Sequence, residues 1–378
     1  MRKSTKKPNK IYMDYASSFS PNPSSIHGLG VEAKKKLENA RKETAELLYA
    51  RPDEIIFTSG GTESNNLAIL GVFKNLKNPH IITTNIEHAS VLEVFKHLEK
   101  TKQAEVTIVP VETNGIVDPK KIKKAIKENT VLISVMYANN EIGTIQPIRE
   151  IVKEVRHYRK NAKSTFPFVH TDAVQAGNYL DLNVERLGVD MMSLSGSKIQ
   201  NAGRVGVLYT KRKTPISSIM FGGDQEGGLR PGTENLPAIL DFVKAFKEVR
   251  KIKDKEIKRL TKLRDYFIQK LLHSNIINNV IMLNGDAKER LPNNINITIS
   301  KIPSDLLVLE LSARGIYVSE KSACKSGDTE SSHVIRAICK KDSQSLRFSM
   351  GRSTAKADID YTLKSLSQIL QKLKKWYT

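Results

Sequence analysis

Asp172 and Lys198 are the side chains whose types and settings first suggest chemistry in this 378-residue chain. Asp172 closes the apolar run Phe168–Val169 in FVHTDAVQAGN, and Lys198 ends MMSLSGSK, a run opened by Met191, Met192 and Leu194. Two short buried strands here would deliver a carboxylate and an amine to one edge of a sheet, the carboxyl edge at which open α/β sheets bind ligands. An amine beside a buried carboxylate suits Schiff-base chemistry on a cofactor. The competing reading is structural: a capping aspartate and one solvated lysine among many.

Three further stretches bear on that choice. TSGGTES (58–64) sits between an expected strand and helix, where its glycines and the first-turn amides beside Thr62 could cradle an anion, or could simply turn the chain. It lacks the lysine of GxxxxGK[ST] and the spacing of GxGxxG, which excludes an ATP loop and a dinucleotide fold. In TNIEHASV, His88 follows the expected strand HIITTN; it is either a structural histidine or one lying flat on a planar ring and handling protons. YANNEIG places Asn139, Asn140 and Glu141 after VLISVMY, where amides can bind a ligand hydroxyl or carboxylate or make a turn.

The elements that would position these groups follow from periodicity. Apolar positions fall at helical spacing over 31–49, and EIIFT, HIITTN, EVTIVPV, VLISVMY, FPFVHTD and MMSLSG read as strands, with helical stretches after the middle four. A mostly parallel sheet between helices follows. Ile11–Tyr12–Met13 reads as a short strand after a basic tail, 1–10. A lysine-rich amphipathic helix over 238–272 then joins a smaller α+β unit with strands NNINITI, IYVSEK and SLRFSMG, and helices over 304–315 and 358–377 on one face. The expected division is a large unit, 15–250, and a small one, 251–378, with 1–14 packed on the latter or disordered.

Composition narrows the class. Hydrophobic residues at 39% and charged residues at 27% fit a globular protein, and no apolar run is long enough to cross a bilayer. The basic N-terminus has no apolar segment after it, which makes a cytoplasmic location the expectation. A net charge of +21 could draw nucleic acid or an acidic protein. The lysines are nevertheless mixed with acids on helix faces, aromatics are 6%, and no zinc-finger or RRM signature accompanies them, so no direct nucleic-acid binding is expected. Cys324 and Cys339 are too few for a disulfide framework and lie apart from any zinc-like cluster, so no metal is expected. Cys339 falls in the apolar helix HVIRAICK, whereas Cys324 lies in the polar loop SEKSACKSGDTESS, a better place for a working thiolate.

Taken in order, IYMDYASS, NPSSIH, TSGGTES, EHASV, NNEIG, HTDAVQ, SGSK, LRPGTEN, SAC and RFSMGR resemble the class V aminotransferase-like pyridoxal-phosphate enzymes, and within them the cysteine desulfurases of the NifS/IscS group. The resemblance implies an aspartate-aminotransferase-like fold type I, with a seven-stranded-type sheet and a smaller C-terminal domain. It implies that Lys198 carries pyridoxal 5'-phosphate as a Schiff base, that Asp172 pairs with the ring nitrogen, and that His88 stacks on the ring. Gln175 and Asn140 would contact the phenolic-oxygen side and the incoming amino acid. Gly61, Thr62, Ser195 and Ser197 would hold the phosphate, joined by Thr233 from the other subunit of a homodimer. Arg347 would clamp the substrate carboxylate, a task suited to a bidentate guanidinium.

The implied reaction converts L-cysteine to L-alanine. Lys198, helped by His88, takes the Cα proton, and Cys324 collects the sulfur as a persulfide for an iron–sulfur scaffold or a tRNA-thiolation enzyme. A selenocysteine lyase, a small aminotransferase and a non-catalytic scaffold of the same fold are the alternatives. The chain departs from the family pattern at Ser197 (SGSK for SGHK), at QNAGR for YGPKG, at QEGG for QERG (225–228), at SEKSAC for SSGSAC, and in a short stretch between DYASS and NPSSIH. The missing histidine puts cofactor affinity in question first.

Overall fold

The computed structural model describes residues 11–73, 76–199, 202–273, 281–300, 302–320, 332–339 and 344–377. Cys324 and the tail 1–10 lie outside the described residues. In chain order the first unit holds α1 (Gly28–Leu48), β1 (Ile55–Thr58), α2 (Gly61–Leu70), β2 (His80–Thr84), α3 (Ala89–Lys100), β3 (Glu105–Val109), α4 (Pro119–Ala125), β4 (Thr130–Ser134), α5 (Ile148–Ala162), β5 (Phe168–Asp172), α6 (Val184–Leu187), β6 (Met191–Ser195) and β7 (Gly206–Thr210). Then come α7 (Leu236–Leu272), β8 (Ile281–Leu283), β9 (Asn294–Ile299), α8 (Ser304–Ser312), α9 (His333–Cys339), β10 (Ser345–Ser349) and α10 (Lys356–Tyr377).

Seven strands pair in the order β1-β7-β6-β5-β4-β2-β3. Only β7 runs against its neighbours, β1 and β6, so β1 points the same way as β5 and β6. The carboxyl ends of β1, β2, β4, β5 and β6 therefore share one edge. Helices cover both faces, and neighbouring residues on a strand enter different cores. Ile55, Phe57 and Met192 pack with α1, α5 and α7, whereas Ile56 and Met191 pack with α2 and α3. This two-sided burial explains why the strands read as short apolar stretches without strict alternation.

β7 is the strand that periodicity did not single out. It is needed at its first residue: a Cβ on Gly206 would lie 2.0 Å from the Thr58 hydroxyl oxygen and 2.4 Å from the Gly60 carbonyl. A glycine here lets the TSGG turn close against the sheet. Nearby, the Arg41 guanidinium donates to both oxygens of Glu226 (2.7 and 2.8 Å), and the same carboxylate accepts from the Phe57 amide. This buried pair fastens α1, β1 and the 225–228 turn. Gly227 adopts φ 67° in that turn, a conformation that favours glycine over the arginine of the usual QERG.

The smaller antiparallel sheet has the order β10-β9-β8. Ile295, Ile297 and Ile299 face a core shared with α7, α8 and α10. Val249 is the last α7 residue in the large core and Leu260 the first in the smaller one. We propose that the two units divide within that interval, close to the sequence boundary at 250. Two element expectations are corrected. Ile316–Glu320 carries only a single bridge, Ser319 to Arg347, and the third strand is instead β8, because β9 has one free edge and β8 occupies it. Ile11–Met13 is not a strand: no described strand pairs with it, and Ile11 and Met13 stay exposed while the Tyr12 hydroxyl bonds the Asp14 and Ser18 carbonyls.

Candidate active site

The carboxyl edge of the large sheet collects the polar groups. Gly61 opens α2 against Val174 and Ser195; a Cβ there would meet Val174 Cγ2 at 2.8 Å and Ser195 Cβ at 3.3 Å. The α2 N-cap is Gly60, which offers no side-chain acceptor to the first-turn amides. The Ser195 and Ser197 hydroxyls lie 2.9 Å apart. Glycine amides, two hydroxyls and a helix N-terminus are the donors that an anion cup would need.

Asp172 ends β5 and is 5% exposed. Its Oδ1 accepts from the Val174 amide (3.0 Å) and its Oδ2 from Asn65 Nδ2 (2.7 Å). Burial pushes the carboxyl above its ordinary range, against those two donors and the nearby His88 ring. No Lys or Arg pairs with it among the described residues, so a buried charge here calls for a cationic partner. Asn65 Nδ2 also donates to Ser90 Oγ (2.8 Å), which contacts His88 Nδ1 (2.8 Å). Two residues before Asp172, the fully buried His170 lies 2.9 Å from both Ser134 Oγ and Ser193 Oγ, tying β4, β5 and β6 together. Burial lowers it to about 3, so it is neutral at physiological pH.

Glu87 is a second buried acid at this edge. Its Oε1 accepts from the Thr84 hydroxyl and the Met136 amide, and its Oε2 has no hydrogen-bond partner among the described residues. Burial, with Asp172 adding to it, raises the carboxyl from 4.5 to about 8 despite those donors. The folded chain thus holds a proton that the unfolded chain releases near its ordinary value, so stability is full below that value and falls as pH rises towards 8. Urea midpoints measured at pH 5, 6.5 and 8 should decline, and Glu87→Gln, which stays neutral, should flatten the decline. An unchanged slope would refute the assignment.

The smaller sheet completes the edge with its polar face. Asn296 and Arg347 are cross-strand partners and so share a face. Asn294 and Asn296 donate to the Glu141 carbonyl, and Arg347 Nη1 donates to the Asn140 carbonyl (3.0 Å). Among the described residues the Arg347 Nε is buried without a partner, and burial lowers the guanidinium pKa, with Glu141 opposing that shift. A guanidinium with an unmet donor is ready for a carboxylate. Backbone bonds in both directions join Arg347 to Ser319, and the Ser332 hydroxyl donates to Glu141. The residues on either side of the segment holding Cys324 are thereby fixed beside Arg347 and Glu141.

The other expected residues are distributed as follows. Lys198 is exposed, its carbonyl accepts from Asn178 Nδ2, and with Ser197 it lines a cavity of about 410 Å³ between the large sheet's edge, α7 and Met350–Arg352. Gln175 is half-buried three residues past Asp172. Thr62 and Thr233 are exposed, Thr233 on a loop that also exposes Met220 and Phe221. Asn139 serves the turn: its amide bonds the Ile86 carbonyl and accepts from the Glu141 and Ile142 amides. Cys339 is half-buried, and burial raises its thiol. Sequence reasoning passed over Asn65, Ser90, Glu87 and the Asn294/Asn296 pair. The alternating Asn-Ile-Asn-Ile of β9 was the available signal, since a polar residue at every second position must face something polar.

Residues 4–362 match the aminotransferase class-V family. The chain is 45% identical to a protein of Dictyoglomus turgidum named cysteine desulfurase IscS, over 93% of this chain and 88% of that one. It is 42% identical to the cysteine desulfurase IscS of Methanosarcina thermophila, over 93% and 86%. A solved structure titled NifS-like protein superposes with a TM-score of 0.83 at 34% identity, covering 93% of this chain and 92% of that chain.

Proposed function

Because the chain belongs to the aminotransferase class-V family, we infer its activity from that of its cysteine-desulfurase relatives: it is a cysteine desulfurase, removing the sulfur of L-cysteine and leaving L-alanine. Enzymes of this family generally depend on pyridoxal phosphate. The observation that carries the reading for this chain is Asp172, a buried carboxylate held by two donors and paired with no Lys or Arg among the described residues. That is the partner a protonated pyridine nitrogen needs, and the cup of Gly61, Ser195 and Ser197 suits a phosphate, so the residues present fit the group.

Bound there, pyridoxal phosphate would supply an electron sink for the carbanion at the Cα of an amino acid. Asp172 would hold the ring nitrogen, His88, Gln175 and Asn140 would orient the ring, and Gly61, Thr62, Ser195 and Ser197 would receive the phosphate, with Thr233 added from a second subunit of a homodimer. The exposure of Thr233 agrees with that last role. With Ser197 in place of the family histidine, the cup keeps a hydroxyl and loses an imidazole donor. Arg347 would bind the substrate carboxylate through its unpaired Nε–H, and the Lys198 amine would attach the cofactor and take the Cα proton.

Cys324 would attack the substrate sulfur and keep it as a persulfide for an acceptor protein, an iron–sulfur scaffold or a tRNA-thiolation enzyme. A cytoplasmic location belongs to the same proposal; no described helix is long and apolar enough to cross a membrane. The expected result for Cys324→Ser is retention of the visible cofactor band with loss of sulfide release by about a hundredfold or more. Mass spectrometry of the wild type after exposure to cysteine should find one added sulfur on Cys324. Full sulfide release by the variant would end the persulfide assignment. The relatives do not favour a selenocysteine lyase or an aminotransferase, and stoichiometric alanine and sulfide from cysteine would separate the desulfurase from both.

A further inference from the structure

His88 has one ring nitrogen whose role is settled by its surroundings. It is the N-cap of α3, and its Nδ1 accepts the Ser90 backbone N–H at 3.1 Å. A backbone N–H can only donate, so Nδ1 carries a lone pair and the hydrogen of the neutral ring sits on Nε2. The Ser90 hydroxyl lies 2.8 Å from the same Nδ1 and must donate to it as well. What frees that hydroxyl to donate is Asn65. Its side chain is 1% exposed, and its Nδ2 gives one hydrogen to Ser90 Oγ and the other to Asp172 Oδ2.

The polarity of this chain has no second solution with Asp172 ionised. Turning the Asn65 amide over would set its carbonyl against a carboxylate oxygen and claim the Ser90 hydrogen, leaving Ser90 Oγ to face the His88 lone pair with nothing between them. The Asp172 charge therefore fixes Asn65, Asn65 fixes Ser90, and Ser90 fixes the tautomer of His88. Among the described residues Nε2 itself has no protein partner.

We propose that Asn65 and Ser90 are positioning residues that lock His88 as a neutral hydrogen-bond donor through Nε2–H, so that His88 orients groups in the reaction without serving as its base. A base at Nε2 would need a lone pair there, and the lone pair is held at Nδ1 by two donors. Proton removal from the substrate then falls to the Lys198 amine alone. For the reaction itself this rests on the desulfurase reading; the tautomer does not.

Nitrogen NMR of histidine-labelled protein at pH 8, with cofactor bound and His88 assigned by difference from His88→Gln, tests it. The expected spectrum has Nδ1 at the frequency of an unprotonated, hydrogen-bonded nitrogen and Nε2 at that of a protonated one. Ser90→Ala should move Nδ1 towards the free-imine frequency and lower kcat several-fold, up to about tenfold, with KM unchanged, as expected for the loss of one hydrogen bond. Ser90→Thr should restore both. A wild-type ring protonated at Nδ1, or an Nδ1 frequency that Ser90→Ala leaves in place, would overturn the proposal. The wild-type spectrum decides the tautomer even if a variant fails to fold. Absence of alanine production with the expected tautomer would count against the desulfurase reading and not against this one.

Discussion

Lys198→Ala should abolish alanine formation from L-cysteine, with kcat lowered by about 10⁴-fold or more and the visible cofactor band lost. The magnitude follows from two roles for one amine. A positioned base accounts for about 10² to 10⁴ in rate, and loss of the covalent attachment removes the activated form of the cofactor as well. The fold should not notice the change. Lys198 is exposed, and the side-chain hydrogen bond it receives, from Asn178 Nδ2, is at its backbone carbonyl, so truncating the side chain should leave stability within about 0.5 kcal/mol. Thermal melting of the apo-proteins, measured beside turnover, separates chemistry from folding. A variant that keeps more than a few per cent of wild-type turnover would remove Lys198 from the centre of the site.

Asp172→Asn should have the next largest effect, about 10²- to 10³-fold in kcat, the cost typical of deleting one preorganised electrostatic contact to developing charge. The substitution keeps the shape of the side chain and removes its charge. It also isolates electrostatics from stability. Because burial already opposes the Asp172 charge, a neutral amide is easier to bury, which offsets the acceptor lost to the Val174 amide or to Asn65 Nδ2, and the apo-protein should melt near the wild-type temperature. The Val174 amide and Asn65 Nδ2 can still find one acceptor between them at the new side chain. Loss of activity with unchanged melting is the expected pairing. Turnover within fivefold of wild type would mean that the ring nitrogen does not depend on this carboxylate.

Burial of Asp172 also explains why so much of the edge is polar and so little of it charged. Asn65 and Val174 hold the carboxylate with N–H dipoles, Ser90 and His88 continue that chain, and burial favours the neutral forms of Glu87 and His170 nearby. A fixed cation from the protein would neutralise Asp172 before any ligand arrived. Its absence among the described residues leaves the carboxylate unneutralised, as the proposed contact with a ring nitrogen requires.

Strand positions were legible for most of the large sheet, since short runs rich in apolar or β-branched residues, as in β2, β4 and β6, suit strands buried on both faces. The weak places were short or antiparallel. β7 opens on a glycine and pairs antiparallel on both sides, outside the strand–helix alternation that marks the others, and β8 is a three-residue, partly exposed strand whose Ile-Met-Leu has no local pattern to separate it from a loop. Ile316–Glu320 has better strand residues than β8 and does not form a strand, because pairing depends on which sheet edge is free.

The residues around the site divide in the same way. The sequence by itself determined the class of fold and the presence of Asp172, Lys198, His88 and Arg347, because residue type and the end of an apolar run are local properties. Only the tertiary structure decided what those groups can do. Asn65 meets Asp172 across 107 residues of chain, and Arg347 meets Asn140 across 207, separations that no helical or strand period encodes. The direction of each hydrogen bond, and with it the tautomer of His88, is set by donors brought from α2, α3 and the Asp172–Val174 turn. It exists only once those elements have packed.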